Sequence, residues 1–487
     1  MDPIMVLRYL PALLLLLLSS SAWAFTGKDP LLLVDLTHSL FGIAAVAIFV
    51  IGYLFVLGEE FIHLRKSKPI MVAAGLIWLC TGIAYALTGD TLTAGMAARQ
   101  YILEYAELFL FLLAAMTFIT TMEERLVFAA LRSWLVVQRF SLRKIYWITG
   151  GLAFVISPIA DNLSTALLMG AVVMAVGNHY HKFVTVGCIN IVVAANAGGA
   201  FSPFGDITTL MVWQKGLVEF EQFLQLFPAT VITWLIPAII MSRCIEDGPP
   251  SGETNRLHMK KGAVTIIFIF LFTITLAVLS HSTLNLPPVL GMMTGLGILK
   301  LFGFYLSQHE PIVHEQGHIS HHHRDNIQTH KHMKGDHGDV VRRFNIFKVV
   351  ERSSWDTLMF FYGVVLCVGG LATLGYLTVL SQLMYGGFGT TQANILVGIA
   401  SALVDNIPVM FAVLSMEPQM DLSQWLLVTL TAGVGGSLLS VGSAAGIALM
   451  GQAQGVYTFV SHLKWSWAIA IGYAAGIITH MYLHNMF

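Results

Sequence analysis

Three aspartates interrupt apolar stretches of the chain. Asp161 lies in "SPIADNLSTALLMG", Asp206 in "NAGGAFSPFGDITT" and Asp405 in "SALVDNIP". An ionisable side chain inside a membrane is costly, and its presence is typical of an ion site or a proton relay. The alternative for any single aspartate is a structural cap at a helix N-terminus.

Amides and hydroxyls accompany these aspartates. Together with the backbone carbonyls of a broken helix, they form an all-oxygen environment, which suits a hard cation such as Na⁺ or Li⁺. Soft metals prefer Cys or His, which these interruptions lack. Besides Asp161, Asp206 and Asp405, the predicted cation- and proton-binding residues are Ser157, Asn162, Thr165, Asn196, Thr208, Thr209, Ser401, Asn406, Ser440 and Ser443.

Such a site binds protons as well as cations. Burial away from water disfavours the charged form of a carboxylate, so a buried aspartate can hold a proton near neutral pH. A cation that enters the same oxygen cage favours the ionised form and expels the proton. We therefore expect the two ions to compete for Asp161 and Asp206, with Asp405 sharing that role or shaping the site.

The composition indicates the class of protein. Of 487 residues, 56% are hydrophobic and 11% are charged, and the mean hydropathy is +0.74. Because so few polar residues cannot coat a soluble globule, we expect an all-α polytopic membrane protein. A span needs about 20 apolar residues. The stretches that are long enough lie near 38–57, 69–88, 102–122, 223–242, 262–280, 288–306, 356–376 and 465–484.

The ends and the basic residues predict the orientation. Residues 1–24 are typical of a secretory signal peptide, with an uncleaved first helix as the alternative. If the mature N-terminus lies outside, the loops that must be cytoplasmic hold nearly every Lys and Arg, as the positive-inside rule requires. Lys300, at a helix end, is counted with these loops. The exceptions in the mature chain are Lys28, Arg99 and Lys215. Both mature termini are then expected on the periplasmic side of a bacterial inner membrane.

Four apolar segments are interrupted. Residues 145–177 begin and end beside cytoplasmic basic residues, and their arms, 145–156 and 163–177, are short, which predicts a re-entrant hairpin from the cytoplasm. By the same count, 391–415 form a hairpin from the outside. Residues 183–218 and 424–451 are expected to be crossings whose Gly-rich centres break the helix.

The interruptions recur in order. Each half carries a hairpin with Asp-Asn at its tip and then a broken crossing, where "GGAFSPFGD" aligns with "GGSLLSVGS". This pattern predicts inverted repeats, with a first repeat at 25–242, a cytoplasmic linker at 243–261 and a second repeat at 262–487. Inverted repeats with broken helices are typical of secondary transporters that bind at the midplane. The chain contains no GxxxxGK[ST] motif for ATP.

The motifs "ISPIADNLSTALLMG", "ANAGGAFSPFGDITTLMVW", "SALVDNIPVM" and "GGSLLSVGSAAGIALMG" resemble those of NhaD-type sodium/proton antiporters of the ion-transporter superfamily. The resemblance extends over roughly residues 35–487. It implies exchange of Na⁺, and of Li⁺, for H⁺ without a cofactor, in the service of pH homeostasis. It also implies a homodimer in which the hairpins and broken helices move as an elevator. The expected partners are the transported ions and the lipid bilayer, and no nucleic acid.

Two other functions are considered. The paired hairpins more distantly resemble those of Na⁺-coupled dicarboxylate carriers, whose tips carry Ser-Asn-Thr. Here Asp161 and Asp405 replace that Ser, and added negative charge disfavours a dicarboxylate, yet a Na⁺-coupled symporter of a small anion stays the alternative. An intramembrane enzyme or a channel is the third hypothesis, but the chain has no HExxH motif.

The loop 307–354 is rich in histidine. Histidine titrates near neutral pH, so this loop is either a cytoplasmic pH sensor, a transition-metal site or a segment without a transport role. The residues concerned are His309, His314, His318, His321, His322 and His323. Their spacing is too crowded to define one structural zinc site.

Overall fold

The computed structural model describes residues 34–62, 64–177, 179–245, 248, 256–309 and 355–486. These residues form helices and connecting turns, with no strand among them. A helix satisfies its backbone polar groups internally, as lipid requires. Within the described part of the chain, eight helical segments are long and apolar enough to cross a membrane, as expected of a multi-pass membrane protein: Ser67–Leu87, Thr93–Glu124, His181–Gly199, Phe220–Ser242, Ala263–Leu284, Pro288–His309, Trp355–Thr373 and Ser466–Leu483.

The helices are numbered along the chain. A 3₁₀ turn, Phe220–Leu226, precedes α10, and a π-helical turn, Gln382–Phe388, follows α14. The first half contains α1 (Leu40–Leu57), α2 (Glu59–Ile62), α3 (Ser67–Leu87), α4 (Thr93–Glu124), α5 (Val127–Val137), α6 (Leu142–Ala160), α7 (Asn162–Val176), α8 (His181–Gly199), α9 (Ile207–Gln214) and α10 (Phe227–Ser242). The second half contains α11 (Ala263–Leu284), α12 (Pro288–His309), α13 (Trp355–Thr373), α14 (Tyr376–Ser381), α15 (Thr390–Leu403), α16 (Asn406–Met416), α17 (Leu422–Gly435), α18 (Ala444–Gln452), α19 (Phe459–Leu463) and α20 (Ser466–Leu483).

The first predicted hairpin is broken at one residue. Asp161 alone separates α6 from α7. The prediction that the first arm ends at 156 is wrong, because α6 continues through Pro158 to Ala160. With 19 residues, α6 is about 28 Å long, so shortness alone does not make that arm re-entrant. Because proline has no N–H, Pro158 leaves the Phe154 carbonyl without its usual helical hydrogen bond, and in the structure that carbonyl lies against α8 at Gly198.

The other three interruptions fall where the sequence predicts them. Val404 and Asp405 separate α15 from α16. Residues 200–206 separate α8 from α9, and residues 436–443 separate α17 from α18. The breaks of the crossings are thus seven and eight residues of non-helical chain. Glycine and serine make up most of 436–443, whereas 200–206 contains one of each.

Packing brings the interruptions of the two halves together. In each half the helix before the Asp-Asn break lies along the helix before the Gly-rich break, so that α6 packs on α8 and α15 on α17. The short helices after the breaks exchange partners, because α9 packs on α16 of the other half and α18 packs on α7. Gly170 of α7 makes room for the Leu449 side chain of α18. Each Asp-Asn helix therefore lies beside a half-helix of the opposite half.

Two apolar cores support this arrangement. One is built on α6, α7 and α8 and includes Leu449 of α18. The other joins α3, α4 and α13 to α9, α16 and α17. The predicted signal peptide, 1–24, lies outside the described residues, as do most of the His-rich loop and part of the linker at 243–261.

Candidate ion-binding site at the interrupted helices

Asp206 is the carboxylate on which both halves converge. It lies in extended backbone just before α9, and its Oδ1 accepts a hydrogen bond from the Thr208 N–H at 3.1 Å. Its Oδ2 accepts from Asn162 Nδ2 at 3.3 Å and from Asn406 Nδ2 at 3.0 Å. The residue is 5% exposed, and no ion pair joins it to a lysine or arginine in the described parts of the chain. A buried carboxylate held only by neutral donors leaves room for a cation or a proton.

The amides continue into a network across both halves. Asn162 Nδ2 also lies 3.2 Å from Asn196 Oδ1, and Asn196 Nδ2 donates to Ser437 Oγ at 2.8 Å. Asn196 and Ser437 are fully buried. Because each of these groups has few alternative partners, the network fixes the amides that surround Asp206.

A glycine and unused oxygen atoms also border the site. A Cβ added at Gly433 would lie 3.8 Å from both Asp206 Oδ2 and Thr208 Oγ1 and 3.3 Å from Ala200 Cβ, so the glycine keeps side-chain atoms of α17 away from the carboxylate. Thr208 Oγ1 finds no hydrogen-bond partner in acceptable geometry among the described residues, and the same is true of Thr165 Oγ1 and Ser440 Oγ. Buried hydroxyls are normally paired. Thr208 belongs to the turn that Asp206 caps, so its hydroxyl lies near the carboxylate, and hydroxyl and carboxylate oxygens are the donor set that Na⁺ prefers.

Asp161 makes its contacts within its own break. Its Oδ1 accepts from the Ser164 N–H at 2.7 Å and its Oδ2 from Ser164 Oγ at 2.9 Å. Its φ of +57° is unusual for a residue other than glycine. The next N–H, that of Asn162, donates to the Gly205 carbonyl at 3.1 Å. Asp161 is therefore placed as an N-cap of α7, and no described hydrogen bond connects its carboxylate to Asp206.

Asp405 has a basic partner. Its Oδ2 lies 3.3 Å from Lys66 Nζ, and its Oδ1 is buried without a hydrogen-bond partner among the described residues. It does not cap α16 through its side chain. No basic residue adjoins the three aspartates along the sequence, yet Lys66, 339 positions away, lies beside Asp405 in space. Under the predicted topology, the loop before α3 must reach the depth of the α15–α16 break.

Other predicted site residues fasten the breaks. Ser157 Oγ donates to the Ala195 carbonyl at 2.6 Å, and Ser401 Oγ donates to the Ala432 carbonyl at 2.7 Å. Thr209 Oγ1 donates to the carbonyls of Ser202 and Asp206. Ser443 caps α18 by accepting from the Gly446 N–H at 3.3 Å. These hydroxyls act on backbone, so we assign them to the shape of the site.

The His-rich loop is described only at its start. His309 ends α12, and its Nδ1 lies 2.9 Å from the Tyr305 carbonyl. His314, His318, His321, His322 and His323 lie outside the described residues. Within the described part of the chain, no group of three His, Cys, Asp or Glu residues is arranged to hold a metal ion.

Sequence reasoning missed three residues. Lys66 was counted only as a loop charge, and Ser437 was not selected although it follows the glycine pair of "GGSLLS". His462 is fully buried, with Nε2 2.9 Å from the Ser437 carbonyl and Nδ1 2.8 Å from the Tyr457 hydroxyl. Burial lowers the pKa of His462 to about 4, although the Ser437 carbonyl opposes that shift. Nothing in the local sequence distinguishes His462 from an ordinary loop histidine.

Comparison with known proteins supports the motif resemblance. A family model described as "Citrate transporter" matches residues 42–299 and 339–433. The chain is 52% identical over 489 residues to the "Na(+)/H(+) antiporter NhaD" of Alkalimonas amylolytica, covering 99% of this chain and 98% of that protein. The chain belongs to the NhaD family. A second NhaD, from Vibrio cholerae serotype O1, is 53% identical over 452 residues, covering 93% of this chain and 94% of that protein.

A more distant relative comes from a plant. The chain is 28% identical over 461 residues to "Sodium/proton antiporter 1" of Arabidopsis thaliana, covering 91% of this chain and 73% of that protein. The predicted membership of the NhaD family is thereby confirmed, as is the prediction that the chain is a transporter rather than an enzyme.

Proposed function

We propose that this NhaD-family chain exchanges Na⁺ for H⁺ across a bacterial inner membrane and that the two ions compete for Asp206. The observation that carries the proposal is the convergence of Asn162 and Asn406 on one oxygen of a buried carboxylate that has no described basic partner. The names of the NhaD relatives, Na(+)/H(+) antiporters, support the choice of ions.

The geometry supports competition at one carboxylate. In the arrangement described, the amides donate N–H groups to Asp206 Oδ2, which favours its ionised form. Turning an amide about its terminal torsion replaces the N–H by the amide oxygen, which is a cation ligand. With Thr208 Oγ1, and with no side chain at Gly433, Asp206 then offers an all-oxygen site to Na⁺. A proton on Asp206 removes the negative charge that this site needs, so either ion displaces the other.

The other two aspartates support Asp206 in this proposal. Asp161 fixes the N-terminus of α7 through Ser164 and so sets the position of Asn162. Asp405 immediately precedes Asn406, the first residue of α16. Both residues therefore influence the site through the amide that follows each of them.

The proposal includes the finer architecture expected from the sequence. Similar serine-to-carbonyl contacts at Ser157 and Ser401 support inverted repeats. So do the matching backbone angles of Asp206, φ −141° and ψ 145°, and Ser443, φ −141° and ψ 148°. We include an elevator movement of the interrupted helices in a homodimer, transport of Li⁺ as a second hard cation, a role in pH homeostasis and periplasmic termini.

The alternative is Na⁺-coupled uptake of a small anion such as a dicarboxylate. The description of the matching family model names citrate, a tricarboxylate. Electrostatics opposes an anion here, because Asp206 is a negative group without a described basic partner and Lys66 is already paired with Asp405. Na⁺/H⁺ antiport is therefore the better supported hypothesis.

Ion flux in proteoliposomes tests the proposal, with Na⁺, Li⁺, K⁺ and citrate tried in parallel. Na⁺ is expected to dissipate an imposed pH gradient, Asp206→Asn to abolish this exchange and Asp161→Asn to reduce it severely. Asp421→Asn is the matched control, because Asp421 caps α17 in the same way as Asp206 caps α9 but is exposed. Normal exchange by Asp206→Asn overturns the site, and Na⁺-driven citrate uptake without proton exchange establishes the alternative.

A further inference from the structure

Lys66 places a positive charge at the second Asp-Asn break. Its Nζ lies 3.3 Å from Asp405 Oδ2 and 4.3 Å from the centre of the Phe360 ring. The side chains of Lys66 and Asp405 are 19% and 12% exposed. A pair so shielded from water interacts more strongly than a surface ion pair, and loss of one partner leaves the other charge uncompensated.

The lysine is held by a different part of the molecule from the aspartate. Lys66 immediately precedes α3, and the next residue, Ser67, donates its hydroxyl to Asp356 Oδ1 at the start of α13. Phe360, which lies under the ammonium group, is one turn further along α13. Because α3 packs along α13, Lys66 is fixed to that helix pair, whereas Asp405 belongs to the α15–α16 break.

The local sequence leaves Asp405 available for this contact. In the first break, the backbone N–H of Ser164, three residues after Asp161, occupies the aspartate. The corresponding residue after Asp405 is Pro408, which has no N–H to donate. The Asp405 carboxylate therefore does not cap α16 and turns to Lys66.

Asp405 lies one residue from a direct partner of Asp206. Asn406 donates to Asp206 Oδ2 at 3.0 Å, so a change in the position or net charge of the Lys66–Asp405 pair acts directly on the site. Two unit charges that lie several ångströms apart and are partly shielded from water interact strongly enough to change the affinity for an ion severalfold or more.

We propose that Lys66 is a positioning and charge-compensating residue of the ion site. Its ammonium group neutralises Asp405, so that Asp206 alone attracts the transported cation, and it holds the N-terminus of α16 where Asn406 reaches Asp206. This inference rests on the proposed Na⁺/H⁺ exchange. Without Lys66, the uncompensated charge of Asp405 binds Na⁺ more tightly at the site and slows its release.

The test measures Na⁺ half-saturation and maximal rate of exchange separately in proteoliposomes. For Lys66→Gln we expect the half-saturating Na⁺ concentration to fall by about fivefold and the maximal rate to fall as well. Lys66→Arg, which keeps the charge, is expected to restore both values towards those of the wild type. Lys68→Gln, an exposed lysine of the same segment, is the matched control and is expected to change neither.

A double-mutant cycle shows whether Lys66 acts through Asp405. Asp405→Asn alone leaves the Lys66 charge uncompensated and is expected to raise the half-saturating Na⁺ concentration. Adding Lys66→Gln removes that charge, so the double variant, whose pair is again neutral, is expected to return to the wild-type value. Because the double variant carries no unpaired buried charge, it also serves if Lys66→Gln alone fails to fold.

The outcomes separate the two proposals. Absence of Na⁺/H⁺ exchange in the wild type overturns the proposed function. If the wild type exchanges, the inference is overturned by an unchanged half-saturating concentration in Lys66→Gln, or by a Lys66→Gln/Asp405→Asn double variant that keeps the shift of Lys66→Gln instead of returning to the wild-type value. A lower maximal rate alone that Lys66→Arg does not rescue assigns Lys66 to structure only and also overturns the inference.

Discussion

Asn162 and Asn406 donate to the same oxygen of Asp206, whereas the aspartates that precede them make unrelated contacts. Asp161 binds the start of its own helix, and Asp405 binds Lys66 from elsewhere in the chain. The two breaks therefore share their amide chemistry but differ in the use of their carboxylates.

One residue accounts for the difference. Ser164 supplies an N–H and a hydroxyl to Asp161, while Pro408 supplies neither to Asp405. A repeated Asp-Asn pair thus acquires two roles through the residue three positions later.

The Gly-rich breaks show the same one-sidedness. Asp206 and Ser443 have nearly identical backbone angles, yet only the first carries a charge. Asn196 of α8 aligns with Gly433 of α17. The helix before the first Gly-rich break therefore supplies an amide, and the helix before the second has only a glycine beside Asp206. A similar backbone in both halves therefore holds a single charged site.

The largest effect is expected from the two asparagines. Asn162→Ala and Asn406→Ala each remove one N–H donor from Asp206, and a hydrogen bond to a charged group contributes about 1.5 to 3 kcal/mol. We expect both variants to raise the half-saturating Na⁺ concentration by similar factors of about ten, as measured by exchange in proteoliposomes. A large effect of one variant and none of the other would mean that the breaks do not contribute equally.

A smaller effect is expected from exchanging the residues that separate the two aspartates. Pro408→Ser supplies an N–H that competes with Lys66 for Asp405. We expect the half-saturating Na⁺ concentration to shift in the same direction as in Lys66→Gln but by only about threefold, because the ion pair is weakened rather than removed. Ser164→Ala, which keeps its N–H, is the companion variant and is expected to change the value less. No shift with Pro408→Ser would contradict the explanation based on proline.

The smallest effect on transport is expected at His462, which contacts the second Gly-rich break through the Ser437 carbonyl. The pKa of His462 in the folded protein, about 4, lies below the usual 6.5. Between these two pH values the imidazole is protonated in the unfolded chain but not in the folded protein. The free energy of unfolding therefore falls as pH decreases from about 6.5 towards 4. The loss is up to about 3 kcal/mol. We expect His462→Gln to flatten this acid dependence of thermal unfolding in detergent while leaving exchange near neutral pH unchanged.

The exposed His258 provides the control for this measurement. His258→Gln is expected to keep the acid dependence of the wild type. Equal acid dependence in the wild type and His462→Gln would show that another group is responsible.

Much of the fold follows from local sequence signals. The hydropathy of the chain predicts its helices, and the glycines, serines and Asp-Asn pairs predict all four interruptions. The end of α6 was predicted too early, since the helix continues through Pro158 to Ala160, with the Phe154 carbonyl lying against α8. Local signals thus locate the breaks but not the lengths of all the arms.

The sequence by itself determined the membrane class, the repeated Asp-Asn and Gly-rich breaks, and the oxygen-rich chemistry around them, because hydropathy and residue type are local properties. Only the tertiary structure decided which aspartate receives both asparagines and which has a basic partner. Lys66 and Asp405 are 339 positions apart along the chain, and Asn406 and Asp206 are 200 apart. The Asn406–Asp206 contact depends on the packing of α9 on α16, and the Lys66–Asp405 contact on that of α3 along α13. The local sequence pattern specifies neither.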